Sequence, residues 1–110
     1  MLFHVTAQHS WETCRGRMRD EGQLSPTEVA QRQNWIEGNE NVKVLAVGGY
    51  QSAHRYYAFM EADDYNSVVL LMHSEMWVGE VEILPINDAI AMRKERDSIR
   101  TFRLPRSSMA

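Results

Sequence analysis

The sequence predicts a single α+β domain whose strands and helices follow the order β-α-β-β-α-β, with one further helix at the C-terminal end. Three observations support this fold class. Short apolar segments have the period of strands, other segments have the period of helices, and a length of 110 residues fits one domain. A hydrophobic fraction of 44% and a charged fraction of 25% are typical of a chain that buries a core.

The segment before residue 42 contains one predicted strand and one predicted helix. Residues 2–9 are predicted as the first strand because apolar and polar residues alternate there. Residues 10–24 have no clear period, which is typical either of a binding loop or of a surface loop with a short helical turn. Ser25 and Glu28 have the spacing of a capping box, so a helix is predicted over residues 25–37.

The rest of the domain contains three predicted strands. Residues 42–50 and 54–61 are predicted as the second and third strands, joined as a hairpin, and both carry apolar or aromatic residues on both faces. Asp63 or Asp64 is predicted to cap the second helix, and residues 80–85 form the fourth strand.

The C-terminal segment differs in charge from the rest. Asn87 is predicted to cap a last helix that runs to about Arg100. From Arg93 onward the chain has six basic and two acidic residues, a net charge of +4. The rest of the chain has six basic and 13 acidic residues, a net charge of −7. The chain is therefore divided into a domain at residues 1–90 and a basic helix end and tail at 91–110, which could dock on a partner.

The predicted order is the split βαβ, or ferredoxin-like, arrangement: an antiparallel four-stranded sheet with helices on one face. Two helices cover only one face, yet the second and third strands are apolar on both. A second copy of the chain is the simplest cover for the other face. We therefore expect a homodimer or a larger homo-oligomer.

Three segments resemble the dimeric α+β barrel superfamily, and more narrowly an uncharacterised domain family within it: MLFHVT at the start, Tyr57–Tyr65, and Gly79–Ile86. The resemblance covers about residues 1–90. It implies two sheets that form a barrel across a dimer, with a ligand cavity between each sheet and its helices. It implies no single reaction, because the superfamily includes monooxygenases, isomerases, peroxidases and binding proteins.

The sharpest local prediction concerns His9, Cys14 and His54. In the split βαβ order the first and third strands are antiparallel neighbours, so these residues should meet at one end of the sheet. Two imidazoles and a thiolate suit Zn²⁺ or another divalent metal, although no cofactor is required by the sequence. The same set could instead supply a catalytic base and a nucleophile, with His54 and His9 as the catalytic candidates, or have a structural role only.

Aromatic residues are the candidate ligand-binding groups, because their rings could line a cavity for a planar organic molecule. Core packing is the alternative for each of them. The candidates are Tyr50, Tyr57, Trp35 and Trp77. His4 is expected on the sheet face that lies inside the dimeric barrel.

Composition argues against several classes of function. A net charge of −3 gives no footprint for nucleic acid, and no apolar run reaches the roughly 20 residues that cross a membrane. The N-terminal segment lacks the features of a signal peptide, and a lone cysteine excludes an internal disulfide, so a cytoplasmic setting is expected.

Three functions therefore stay open, and the sequence does not decide whether the protein is an enzyme. The first is binding or processing of a small organic molecule between sheet and helices. The second is catalysis of the cofactor-independent monooxygenase or muconolactone isomerase type. The third is an assembly role that works through the basic tail.

Overall fold

The chain forms an α+β fold around one four-stranded sheet. The computed structural model describes the backbone of residues 1–103 and the side chains of residues 1–96. The sheet order is β2-β3-β1-β4 and every neighbouring pair is antiparallel, as predicted and as in ferredoxin-like folds. The strands are β1 (Leu2–His9), β2 (Val42–Tyr50), β3 (Arg55–Ala62) and β4 (Gly79–Ile86).

The helices are short, apart from the last one. Two 3₁₀ turns lie at Asn34–Glu37 and, directly after β2, at Gln51–Ala53. The loop after β1 contains a helix, and the predicted helix over 25–37 is split into an α-helix and a 3₁₀ turn. The α-helices are α1 (Arg15–Asp20), α2 (Pro26–Arg32), α3 (Tyr65–Leu71), α4 (His73–Met76) and α5 (Ala89–Arg103).

Side-chain caps fix where three helices begin. The capping box at α2 is confirmed, since Ser25 accepts from the amide of Glu28 at 3.1 Å and the Glu28 carboxylate accepts from the Ser25 amide at 3.3 Å. Asp64 accepts an amide hydrogen bond of 2.7 Å at the start of α3. At α5 the prediction of Asn87 is wrong, because Asp88 makes the capping bond, at 3.0 Å.

The core lies between one face of the sheet and the helices. Alternate residues of β1 and β3 face it, and Trp35 from the first 3₁₀ turn closes one side. The largest side chains in it are almost fully inaccessible to solvent, which makes this face the main hydrophobic contribution to stability. They are Trp35, Phe3, Met60, Met72, Val5 and Val68.

The opposite face of the sheet has no cover within the described part of the chain. Phe59 and Leu84 are 42% and 45% exposed. His4 lies on this face, as predicted, with its ring centroid 5.2 Å from that of Phe59 and 6.2 Å from that of Tyr57. Apolar and aromatic side chains thus occupy both faces of the sheet, but helices cover only one.

The last helix extends away from this core. Ile90 and Met92 of α5 are 70% and 45% exposed, so these apolar side chains are not covered by the described residues. Residues 104–110 of the predicted basic tail lie outside the described residues. None of the described helices is both long enough and apolar enough to span a membrane.

Gly79 permits the close approach of β4 to the end of β1, where it pairs with His9. A Cβ atom at Gly79 would overlap the carbonyl oxygen of Gln8 and lie 2.8 Å from the Cα of His9. A Cβ at Gly48 in β2 would meet no heavy atom within 4 Å. The backbone of β1 therefore leaves no room for a side chain at Gly79, whereas a side chain has room at Gly48.

We expect Gly79→Ala to lower the free energy of unfolding by about 2–3 kcal/mol, because the added methyl group forces two strands apart. The matched variant Gly48→Ala should change it by less than about 1 kcal/mol. Urea denaturation followed by circular dichroism measures both. Equal midpoints for the two variants would contradict this account of the β1–β4 pairing.

Candidate metal centre

His9, Cys14 and His54 come together at one end of the sheet. One ligand atom from each, two imidazole nitrogens and the Cys14 Sγ, lies within 4.8 Å of the others, and all three residues are half-buried. Tetrahedral Zn²⁺ places neighbouring nitrogen and sulfur ligands about 3.3–3.7 Å apart. Side-chain adjustments of about 1 Å thus bring the three atoms to coordinating positions. The predicted proximity of the three residues is confirmed.

His54 reaches this position through an unusual backbone conformation. With φ 54° and ψ 45° it is in the left-handed region, and among the described residues it is the only non-glycine residue with positive φ. Its carbonyl oxygen accepts a hydrogen bond of 3.1 Å from the amide of His9, and the two rings are 5.2 Å apart. Such a conformation costs on the order of 1–3 kcal/mol and is concentrated at functional sites.

Cys14 is fixed by anchors on both of its neighbours. The Thr13 hydroxyl donates to the carbonyl of Val78 at 2.8 Å. The Arg15 guanidinium donates to the Glu75 carboxylate at 2.6 Å and to the carbonyl at the end of α2 at 2.8 Å. Cys14 itself precedes α1, and its side chain makes no capping bond there. Its thiol is therefore held in place and not used in helix capping.

The ion pair of Arg15 and Glu75 is buried, with 8% and 5% of each residue exposed. Removing one partner of such a pair typically costs about 3–5 kcal/mol, because the other charge stays buried without compensation. This ion pair was not predicted from the sequence. Sixty positions separate the two residues, and neither lies in a motif, so no local signal connects them.

Arg17 orders the rest of the loop. Its guanidinium lies 4.1 Å from the centre of the Trp11 ring, and it donates to the carbonyls of Trp11 and Glu12 at 2.8 and 3.1 Å. It also pairs with Glu21 on the surface of α1. Residues 10–24 are thus an ordered loop with a short helix, and the loop carries a candidate ligand.

The three candidate ligands lie in the wall of an open cleft of about 780 Å³. The cleft is bounded by the loop after β1, by α1 and by the β2–β3 hairpin. Its size is within the range of small-molecule sites. Trp11, which is 57% exposed, and Tyr56 are its aromatic walls. Trp11 was not predicted as a ligand-binding residue, although a tryptophan in a polar loop is itself a signal of exposure.

The four aromatic residues predicted to bind a ligand are not brought together. Trp35 is 1% exposed in the core, and Trp77 is 79% exposed beside His73. Tyr50 lies next to the hairpin and is 55% exposed, and Tyr57 stacks on His4 at the open sheet face. None of the four lines the cleft. Their role in ligand binding stays a prediction.

The electrostatic environment favours neutral His9. Burial is the main cause that lowers the pKa of His9 below 6.5, and the nearby imidazole of His54 lowers it further. The Glu75 carboxylate opposes this pKa shift, and Arg15 adds to it. Neutral imidazole is the form that binds a metal or accepts a proton, so His9 is ready for either role near neutral pH.

Comparisons with known proteins add no assignment. No protein-family model matches the chain, and no curated protein matches it. The chemistry of the site therefore rests on its geometry, and membership in the dimeric α+β barrel superfamily stays a prediction.

We expect the metal-free protein to lose stability as the pH falls below about 6.5. Because the pKa of His9 is lower in the folded chain, the unfolded chain binds more protons in the window between the folded pKa and 6.5. The stabilisation is complete above 6.5 and is lost towards the folded pKa. Urea denaturation across this window measures it, with His9→Asn as the control that should lack this component. A His9 pKa above 6.5 by NMR would contradict the expectation.

Proposed function

We propose that this protein binds one divalent transition metal ion, with Zn²⁺ the best match, through His9, Cys14 and His54, beside a cleft that admits a small organic molecule. One observation carries the proposal: three metal-binding side chains from separate segments have ligand atoms within 4.8 Å of one another. Two imidazole nitrogens and one thiolate are a ligand set that a borderline-soft metal prefers.

The site has three candidate protein ligands, which supports a metal that also binds or activates another molecule. Structural zinc sites have four protein ligands, whereas sites with three leave one position for water or for a bound molecule. A metal held here would supply Lewis-acid activation of whatever occupies that position. The cleft gives access to it, because the same three side chains form part of the cleft wall.

The cleft favours a small organic anion. Four arginines line it against two acidic residues, although the whole chain carries a net charge of −3. Arg15, Arg17 and Arg19 pair with acidic side chains, whereas Arg55 makes no ion pair with any described residue. The exposed ring of Trp11 adds a surface on which a planar group can stack.

We also propose that two copies of the chain pair through the open sheet face. The centre of this face, with Phe59, Leu84, Tyr57 and His4, is apolar or aromatic and exposed or half-exposed. A two-fold pair covers the face of both copies at once, and packed sheets need no additional element between them. The resemblance to dimeric α+β barrels points to the same arrangement.

We expect the purified protein to bind one Zn²⁺ per chain. Cys14→Ser and His54→Ala should each weaken the affinity by about 100-fold or more, because each removes a direct ligand. His73→Ala is the matched control, since His73 is exposed and lies outside the group. Competition with a chromophoric chelator measures the affinity.

With Co²⁺ as the probe, wild type should show a thiolate-to-metal absorption band that Cys14→Ser lacks. Wild-type affinity in Cys14→Ser would contradict the proposed ligand set.

We expect the wild-type protein to have the mass of a dimer or a larger oligomer in light scattering. Phe59→Glu should give monomers, because it places a charge at the centre of the face to be buried. Leu70→Glu is the control, since Leu70 is 64% exposed on α3, on the other side of the sheet. A wild-type monomer, or a Phe59→Glu variant of unchanged mass, would exclude this interface.

A further inference from the structure

A second, much smaller cavity adjoins the candidate metal centre. Its volume of about 10 Å³ is that of one water molecule. His9, Arg15, Tyr56 and Glu75 are among the residues that line it. Of the three candidate ligands, only His9 borders both this cavity and the open cleft. His9 therefore lies between the cleft and a small polar space, together with Arg15, Gln33 and Tyr56.

The groups around this space can hold a water molecule, which needs two to four polar partners. The Glu75 carboxylate receives a hydrogen bond of 2.6 Å from Arg15 on one oxygen and can accept more. The Nε of Arg15 is buried and has no hydrogen-bond partner. The Tyr56 hydroxyl is in contact with Gln33, 3.1 Å from its amide nitrogen.

A histidine that binds a metal through one ring nitrogen still carries an N–H on the other. That N–H usually donates to a carboxylate, a carbonyl or a water, and this bond fixes both the tautomer and the ring orientation. His9 has Cys14 and His54 within reach of one ring nitrogen. His9 also borders the small cavity, which has room for a partner of the second nitrogen.

We propose that Glu75 is a positioning residue for His9, acting through one water molecule in this cavity. The water accepts the hydrogen bond from the ring N–H of His9 and donates to the Glu75 carboxylate. This inference rests on the proposed function. The hydrogen bond to the water gives His9 the tautomer in which the free lone pair of the other ring nitrogen faces Cys14 and His54. Arg15 pairs with Glu75 and follows Cys14 in the chain, so one ion pair positions two of the three ligands.

The test is Glu75→Gln, which keeps the size of the side chain and an acceptor for Arg15 but removes the negative charge. In wild type without metal, long-range ¹H–¹⁵N NMR should show one tautomer for His9, and in Glu75→Gln a mixture of two. The Zn²⁺ affinity of the variant should fall by about 10–100-fold. Glu80→Gln, at an exposed residue of β4, is the control and should match wild type in both measurements.

A second variant keeps the inference testable if Glu75→Gln does not fold. Arg15→Met with Glu75→Met replaces the buried ion pair by apolar side chains, an exchange that proteins often tolerate. It should give the same mixture of tautomers. A single unchanged tautomer in either folded variant overturns the role of Glu75. A wild-type protein that binds no Zn²⁺ overturns the proposed function instead, and the tautomer comparison in the metal-free protein still decides the positioning role.

Discussion

The buried ion pair between Arg15 and Glu75 connects the parts of the chain on which the site depends. Arg15 begins α1 and Glu75 lies in α4, so the pair fastens the loop after β1 to the helix before β4. Two charges removed from water cost several kcal/mol each unless they are paired and hydrogen-bonded. Arg15 meets this condition in part, since it donates to the Glu75 carboxylate and to the carbonyl at the end of α2, while its Nε has no partner. The loop consequently has one strongly preferred position, and Cys14 lies next to the anchor.

Three energetically unfavourable features lie at the same end of the sheet. His54 has a left-handed backbone, Arg15 has a buried Nε without a partner, and His9 is partly buried beside a second imidazole. The first two destabilise the fold locally, His9 does so only when its imidazole is protonated, and none is needed to close the hydrophobic core. Proteins tend to keep such local violations where function requires them. This coincidence supports a functional site at the end of β1 independently of the type of ligand atoms.

Much of the fold could be predicted from the sequence because each strand and helix has its own periodic signal, and the meeting of His9 with His54 followed from strand order alone. The helix over 25–37 shows where periodicity fails. A regular helix places Ile36 inward, but the chain tightens into a 3₁₀ turn after Arg32, which changes the angle between successive residues, and Trp35 is buried instead. The ion pair of Arg15 and Glu75 has no periodic signal in the sequence, because it depends on how distant segments pack.

The hydrophobic core can form without the candidate ligands, and this affects how a metal would bind. The core side chains, such as Phe3, Met60 and Met72, are separate from the candidate ligands, so burial of apolar surface can form the sheet without a metal. This differs from small zinc domains, whose folding depends on the metal. Here the amide of His9 bonds to the carbonyl of His54, and the neighbours of Cys14 are anchored, without a metal ion. The candidate ligands would then lose little conformational freedom on binding, and the fold, with its strained hairpin and buried ion pair, would supply the preorganisation that the proposed three-ligand site requires.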